Sequence, residues 1–144
     1  MKIIVTIEMD DYGNVVNQKV EKAIETKSKG DYSDYARYFN EECIGWTKDP
    51  EANMTYLKAQ QDYANEMLRI RKFIFLNDIY AMLGMTKTKV GQIVGWVYDE
   101  EKPIGDNYID FGIYDYRNVD FVNGQDNKVL LDFNVDGNIL NYMG

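Results

Sequence analysis

Residues 2–9 alternate. Ile3, Val5, Ile7 and Met9 fall on one side, and Lys2, Ile4, Thr6 and Glu8 on the other. A period of two predicts a strand. Asp10-Asp11-Tyr12-Gly13-Asn14 supplies turn chemistry. Val16, Val20 and Ile24 then recur every four residues, which predicts a short helix to about Ser28, stopped by Gly30. Asp31 or Ser33 can cap a second helix, with Tyr32, Tyr35, Ala36 and Phe39 on one face and Gly45-Trp46 at its end.

Asp49-Pro50-Glu51 is the strongest helix start in the chain: a capping aspartate, proline at the first helical position, and an acid near the positive end of the dipole. Two apolar stripes follow. One holds Tyr56, Ala59, Tyr63, Met67, Ile70 and Ile74; the other holds Met54, Leu57, Ala64, Leu68 and Phe75. Two stripes predict a central helix covered on two sides. Helical spacing runs on through Ile79, Tyr80, Met82 and Leu83 to Gly84. An unbroken helix over 50–83 would measure roughly 50 Å, against about 38 Å for a globule of this length. The pattern therefore predicts a break near Asn77-Asp78.

The last third reads as strands. Gly95-Trp96-Val97-Tyr98 is short. Ile109, Phe111 and Ile113 share one face within Tyr108–Asp115. Val129, Leu131, Phe133 and Val135 share another, opposite Asp132, Asn134 and Asp136. Polar turns between them predict an antiparallel meander. The expected fold class is α+β, with a helical N-terminal two-thirds whose long central helix packs on a small C-terminal β-meander that the N-terminal strand joins. Tyr56, Tyr63, Met67 and Ile70 are expected to face Ile109, Phe111, Ile113, Leu131 and Phe133. One domain is expected over 1–144, with 1–29 as a variable N-terminal strand and helix and 30–144 as the core.

The 144-residue length fits one domain with its own core. A formal charge of −8 denies the chain the basic footprint that a duplex needs, so nucleic acid is not an expected partner. The absence of histidine removes His bases, Ser-His triads and His-ligated zinc together. Cys43 is the lone cysteine, so no intrachain disulfide forms, and it reads as a small buried hydrophobe. No apolar run reaches the roughly 18–20 residues that cross a bilayer, so no membrane is expected. The expected location is the cytosol, or an assembly built from it.

Four constellations could carry chemistry. Asp132-Phe133-Asn134-Val135-Asp136-Gly137-Asn138-Ile139 copies the first half of a calcium loop, but Met143 stands where the closing glutamate belongs. An Asp-Gly turn after a strand explains the same residues, and no metal or other cofactor is expected. Residues 79–93, with Gly84 at the turn and Lys87 and Lys89 beyond it, fit helix-turn-helix spacing, although Tyr80, Gly91 and Gly95 weaken that reading. Arg69-Arg71-Lys72 with Lys87 and Lys89 make a local basic patch or a solvated face. Asp106, Asp110, Asp115, Asp132 and Asp136 are acids without a nucleophile or phosphate loop beside them, so no catalytic residue is named.

The blocks GDYSDYARYFNE, TKDPEANMTYLKAQQDYANEML, FLNDIYAMLGMTKTKVGQIVGWVYD, GDNYIDFGIYD and FVNGQDNKVLLDFNVDG run in order over about 30–140. In them the chain resembles an uncharacterised family, a domain of unknown function, of tailed phages and Gram-positive prophages. Members often carry an N-terminal apolar segment, where a strand and helix are expected over 1–29 of this chain. The resemblance implies a phage or prophage origin, and a place in the bacterial host cytoplasm or in the virion. The expected function is non-enzymatic protein–protein binding, first as a virion or assembly component, with a homo-oligomer among the arrangements. The alternative is a small acidic inhibitor of a host nucleic-acid-binding or defence protein. Helix-turn-helix DNA binding through 79–93 comes third. Twelve tyrosines supply amphipathic contact area, and Trp96, Tyr98, Tyr108, Tyr114 and Tyr116 are the expected protein-binding residues.

Overall fold

A computed structural model describes residues 32–142. The strand and helix expected over 2–28 lie outside these residues. The chain divides between Asp34 and Tyr35, and every element named below belongs to the unit Tyr35–Gly144. The fold class is α+β: helices and short antiparallel strands. No described helix is long and apolar enough to cross a membrane.

The anchor is α1, Pro50–Arg71. The Asp49 carboxylate accepts the Glu51 N–H at 3.0 Å, and Arg69 and Arg71 close the last turn near the negative end of the dipole. Its buried residues are Asn53, Leu57, Ala64, Asn65 and Leu68. This corrects the expectation of a helix covered on two sides. Tyr63 and Ile70, both in the other stripe, are 55% and 71% exposed. Polar Asn53 and Asn65 sit on the covered face instead, where hydrogen bonding compensates their burial.

The helix stops earlier than expected. Lys72 turns left-handed at φ 76°, and its N–H closes on the Leu68 carbonyl at 2.8 Å. Phe73–Phe75 then form β2, so Ile74 and Phe75 belong to a strand rather than to the helix stripes. The Asp78 carboxylate accepts the Phe75 N–H at 3.1 Å and caps α2, Leu76–Leu83. Asn77 and Asp78 thus open a helix instead of breaking one. Gly84 ends it at φ 76°, as its place in the pattern predicts.

No recognition helix follows. Residues Val90–Gln92 make a single 3₁₀ turn and lead into β3, Val94–Val97. The Asn77 amide spans the connection, donating to the Thr88 carbonyl at 2.9 Å and accepting its N–H at 3.0 Å. A Cβ at Gly91 would collide with that amide. The helix-turn-helix spacing over 79–93 is therefore a helix-to-strand connection.

The second expected helix is also replaced. Arg37–Phe39 form β1, antiparallel to β4, Val129–Leu131, with Tyr38 opposite Leu130. Leu130 shows the reason. Its N–H and carbonyl face the Asn118 side chain at 2.8 Å each, so only the opposite edge of β4 is open to a partner. Aromatic residues at 38 and 39 suit that edge better than a solvated helix. The short α3, Val119–Val122, precedes β4, and β5 is Gly137–Asn138. The sheets are β1-β4 and β2-β3-β5, so the C-terminal strands part company and form no meander among the described residues.

One core joins these pieces. Phe111 and Phe133 meet edge to face at 5.4 Å, and Tyr80 meets Phe133 at 5.9 Å. Ile109, Phe111, Ile113, Leu131 and Phe133 are buried as expected. The helix residues facing that layer are Leu57, Ala64 and Leu68 rather than Tyr63 and Ile70. Phe111→Ala and Phe133→Ala are each expected to cost about 3–5 kcal/mol in a denaturant titration, because each leaves a cavity in a closed core. Tyr63→Ala should stay within roughly 0.5 kcal/mol of the wild type. Phenylalanine variants that melt like wild type would overturn this core.

Candidate functional site

Residues 108–114 carry the alternation of a strand without a strand's partners. Ile109, Phe111 and Ile113 point inward, and Tyr108, Asp110 and Tyr114 are exposed. Their backbone groups bond mainly to side-chain amides, with one backbone bond from the Asn134 N–H to the Asp110 carbonyl at 3.3 Å. Gln61 and Asn65 stand four residues apart on α1, which places them on one face. The Asn65 amide accepts the Ile109 N–H at 2.7 Å and donates to the Ile109 carbonyl at 2.9 Å. Gln61 accepts the Phe111 N–H at 2.8 Å and donates to the Tyr108 hydroxyl at 2.8 Å. From the other side, Asn134 accepts the Asp110 N–H at 2.8 Å and donates to the Tyr108 carbonyl at 2.9 Å.

This clamp lays the segment against α1 and leaves a groove of about 290 Å³ between them. Lys58, Gln61 and Asp62 line it from the helix, and Tyr108, Asp110, Ile113 and Tyr114 from the segment. Tyr108 is 44% and Tyr114 63% exposed. Lys58 holds its ammonium 6.0 Å from the centre of the Tyr114 ring. A larger hollow of about 440 Å³ lies beside Lys72, Tyr98 and Glu100. Its main groups already serve one another: the Tyr98 hydroxyl donates to Glu100 at 2.9 Å, and Lys72 lies 5.1 Å from the ring. The hydrogen bond to Glu100 also raises the Tyr98 pKa. The smaller groove is the better candidate because its rings and carboxylates are less engaged.

The five expected binding residues separate accordingly. Tyr108 and Tyr114 come together on the groove. Tyr98 stands half-buried at the other hollow. Tyr116 is half-buried with its hydroxyl enclosed, and the Arg117 guanidinium lies 5.7 Å from its ring. Trp96 is fully buried in β3, and its indole N–H donates to the Asn134 carbonyl and side-chain oxygen at 3.1 and 2.9 Å. Trp96 is thus placed in the core rather than on an exposed face; its place mid-strand between Val94 and Val97 is the available signal. Sequence reasoning missed Lys58, Gln61 and Asp62, polar helix residues that carry no signal of a site until the clamped segment is laid beside them.

The five acids split into two groups. Asp115 and Asp132 lie on Arg117 at 2.8 and 3.5 Å, and the hydrogen bond to Asp115 strengthens that cation's hold on its proton. Asp106, Asp110 and Asp136 gather near Asn134, which donates to Asp106 at 2.9 Å. The oxygens of the calcium-like stretch face their own chain: Asp132 toward Arg117, Asn134 toward Trp96 and Asp110, and Asp136 toward the Val97 N–H at 3.0 Å. Among the described residues, no three acids or cysteines are grouped to hold a metal. Cys43 is half-buried rather than buried. Its thiol pKa is raised, chiefly by burial.

A family model described as a family of unknown function (DUF6353) matches residues 5–143. The chain belongs to this family. The match reaches well N-terminal of the sequence blocks that begin near residue 30. It covers the helix that carries Gln61 and Asn65, the segment they clamp, and Asn134. No curated protein matches the chain, and no solved structure matches it.

Asn65→Ala should lower stability by about 2–5 kcal/mol, because it strands a buried N–H and a buried carbonyl at Ile109 together. Hydrogen exchange at the Ile109 and Phe111 amides should accelerate with it; protection equal to wild type would dismiss the clamp. Asp136 gives a second expectation. Burial is the main cause of its raised pKa, with Asp106 adding to it. The folded state then holds the proton more tightly than the unfolded one, so this group's contribution falls as pH rises from the ordinary carboxylate pKa through the raised one. Asp136→Asn should flatten that decline in a melting-temperature series across mildly acid pH. A parallel series for variant and wild type would exclude Asp136 as its source.

Proposed function

We propose that this protein acts by binding another protein through the face formed by α1 and the clamped segment, and that it performs no chemistry. The observation that carries this reading is the pair Tyr108 and Tyr114, held on a fixed backbone with their rings open to solvent. Tyrosines on a rigid support give contact area at small entropic cost, the usual make-up of an interface anchor. The absence of histidine and of a phosphate-binding loop supports the non-catalytic half. So does the use of Asn65 and Asn134 on backbone groups rather than on the groove.

The phage or prophage origin implied by the sequence blocks puts a virion or assembly component first. An acidic mimic that covers a host nucleic-acid-binding site ranks second. Many aspartates here serve as turn acceptors. Asp99 receives the Glu101 and Lys102 N–H groups, Asp110 that of Gly112, and Asp126 that of Lys128. Acids fixed by turns at scattered loops supply less of the regular phosphate-like spacing that a mimic needs. The test is capture from infected or lysogenic host cells, comparing wild type with Tyr108→Ser/Tyr114→Ser by quantitative mass spectrometry. A folded double variant is expected to lose the proteins held by wild type. Equal capture by both, or turnover of a substrate by the purified protein, would sink the proposal.

A further inference from the structure

Several cations of this chain are already committed to its rings. Lys58 stands over Tyr114, Lys72 over Tyr98, Lys128 over Tyr38, Arg37 over Tyr80 and Arg117 over Tyr116, all within 6.0 Å. Tyr108, like Tyr56, Tyr63 and Tyr142, is not among them, but of these four it alone lines the groove. It is 44% exposed at the groove, and among the described residues no cation stands over its ring. Its hydroxyl is fixed by Gln61 at 2.8 Å, so the ring is oriented as well as open. Two carboxylates line the same groove. Asp62 is exposed and makes no hydrogen bond or ion pair among the described residues. Asp110 uses one oxygen on the Gly112 N–H at 2.8 Å and leaves the other open.

An oriented aromatic face beside two open carboxylates is the arrangement that holds a guanidinium or ammonium group. The chain's −8 charge draws such a group toward it. We infer that the Tyr108 groove takes a basic peptide segment, with an arginine side chain stacked on Tyr108 and paired with Asp62 and Asp110. Lys58, drawn over Tyr114, guards one end of the groove and leaves the Tyr108 end as the cationic subsite. This rests on the protein-binding reading of the same face and specifies the partner's chemistry there.

The test uses the full chain and a fluorescent hexapeptide that alternates arginine and glycine, read by anisotropy, with glutamine in place of arginine as control. Tyr108→Leu keeps the bulk and removes the ring. Asp62→Asn/Asp110→Asn keeps the shape, and the amide oxygen introduced at position 110 still accepts from Gly112. Glu41→Gln/Glu42→Gln removes the same charge at exposed positions away from the groove. The groove variants should each weaken arginine-peptide binding roughly tenfold, and the control less than about twofold. Equal weakening by the Glu41/Glu42 variant would mean attraction to net charge alone and would overturn the inference, as would equal binding of the glutamine peptide. The underlying reading is separable. If Tyr108→Ser/Tyr114→Ser loses its captured partner while Asp62→Asn/Asp110→Asn keeps it, protein binding stands and the basic occupant falls. If both variants capture as wild type does, both fall.

Discussion

Side-chain carboxamides substitute for strand pairing in this protein, and the rest of the fold depends on that substitution. A carboxamide carries both a donor and an acceptor, so it can satisfy a backbone N–H and carbonyl as a neighbouring strand would. Asn65 does this for Ile109, Asn118 for Leu130, and Asn134 for Asp110 and Tyr108. Asn53 does it at the helix entry, holding the Thr47 N–H and carbonyl at 2.9 Å each. Unpaired backbone in a core costs about as much as a lost hydrogen bond, so segments too irregular for a ladder need such partners before they can be buried. The amides let short pieces of chain close over one core without forming a large sheet.

The same substitution decides how far the fold can be read. Signals that act within a few residues are legible: the Asp49-Pro50-Glu51 start, the Gly84 stop, and the inward alternation of Ile109, Phe111 and Ile113. What fails is the identity of partners. Tyr35, Ala36 and Phe39 have helical spacing, yet an open edge at β4 draws residues 37–39 into a strand. Tyr63 and Ile70 look like a core stripe, while Asn53 and Asn65 look like solvent positions; the structure reverses both because the amides have backbone to hold. Hydropathy ranks asparagine as polar and takes no account of a buried asparagine whose amide is bonded at both ends.

The site is legible by residue type and not by geometry. Tyr108 and Tyr114 stand out for lying near loop ends beside an alternating run, and that logic fits their exposure. Trp96 stands out with them because large aromatics mark interfaces, but a ring this size also fills a core when its N–H finds an acceptor, and Asn134 supplies one. The helix side of the groove lies 44 to 50 residues from its partners in sequence, at Asn65–Ile109 and Gln61–Phe111, so no local pattern could join them.

The pairing of β1 with β4 has a consequence for synthesis. Arg37–Phe39 leave the ribosome long before the strand that receives them, Val129–Leu131. In between, Tyr38 and Phe39 have no edge to pair with, and the irregular 108–114 stretch waits for Asn134. Helix α1 and the β2–β3 pair, by contrast, draw on residues within 50–97. A helix and an antiparallel strand pair can therefore close within 50–97 before β1 has its partner. The ladder of residues 37–39 closes only once Leu131 has emerged, and long-range pairings of this kind slow folding in general and leave apolar strands exposed to association meanwhile.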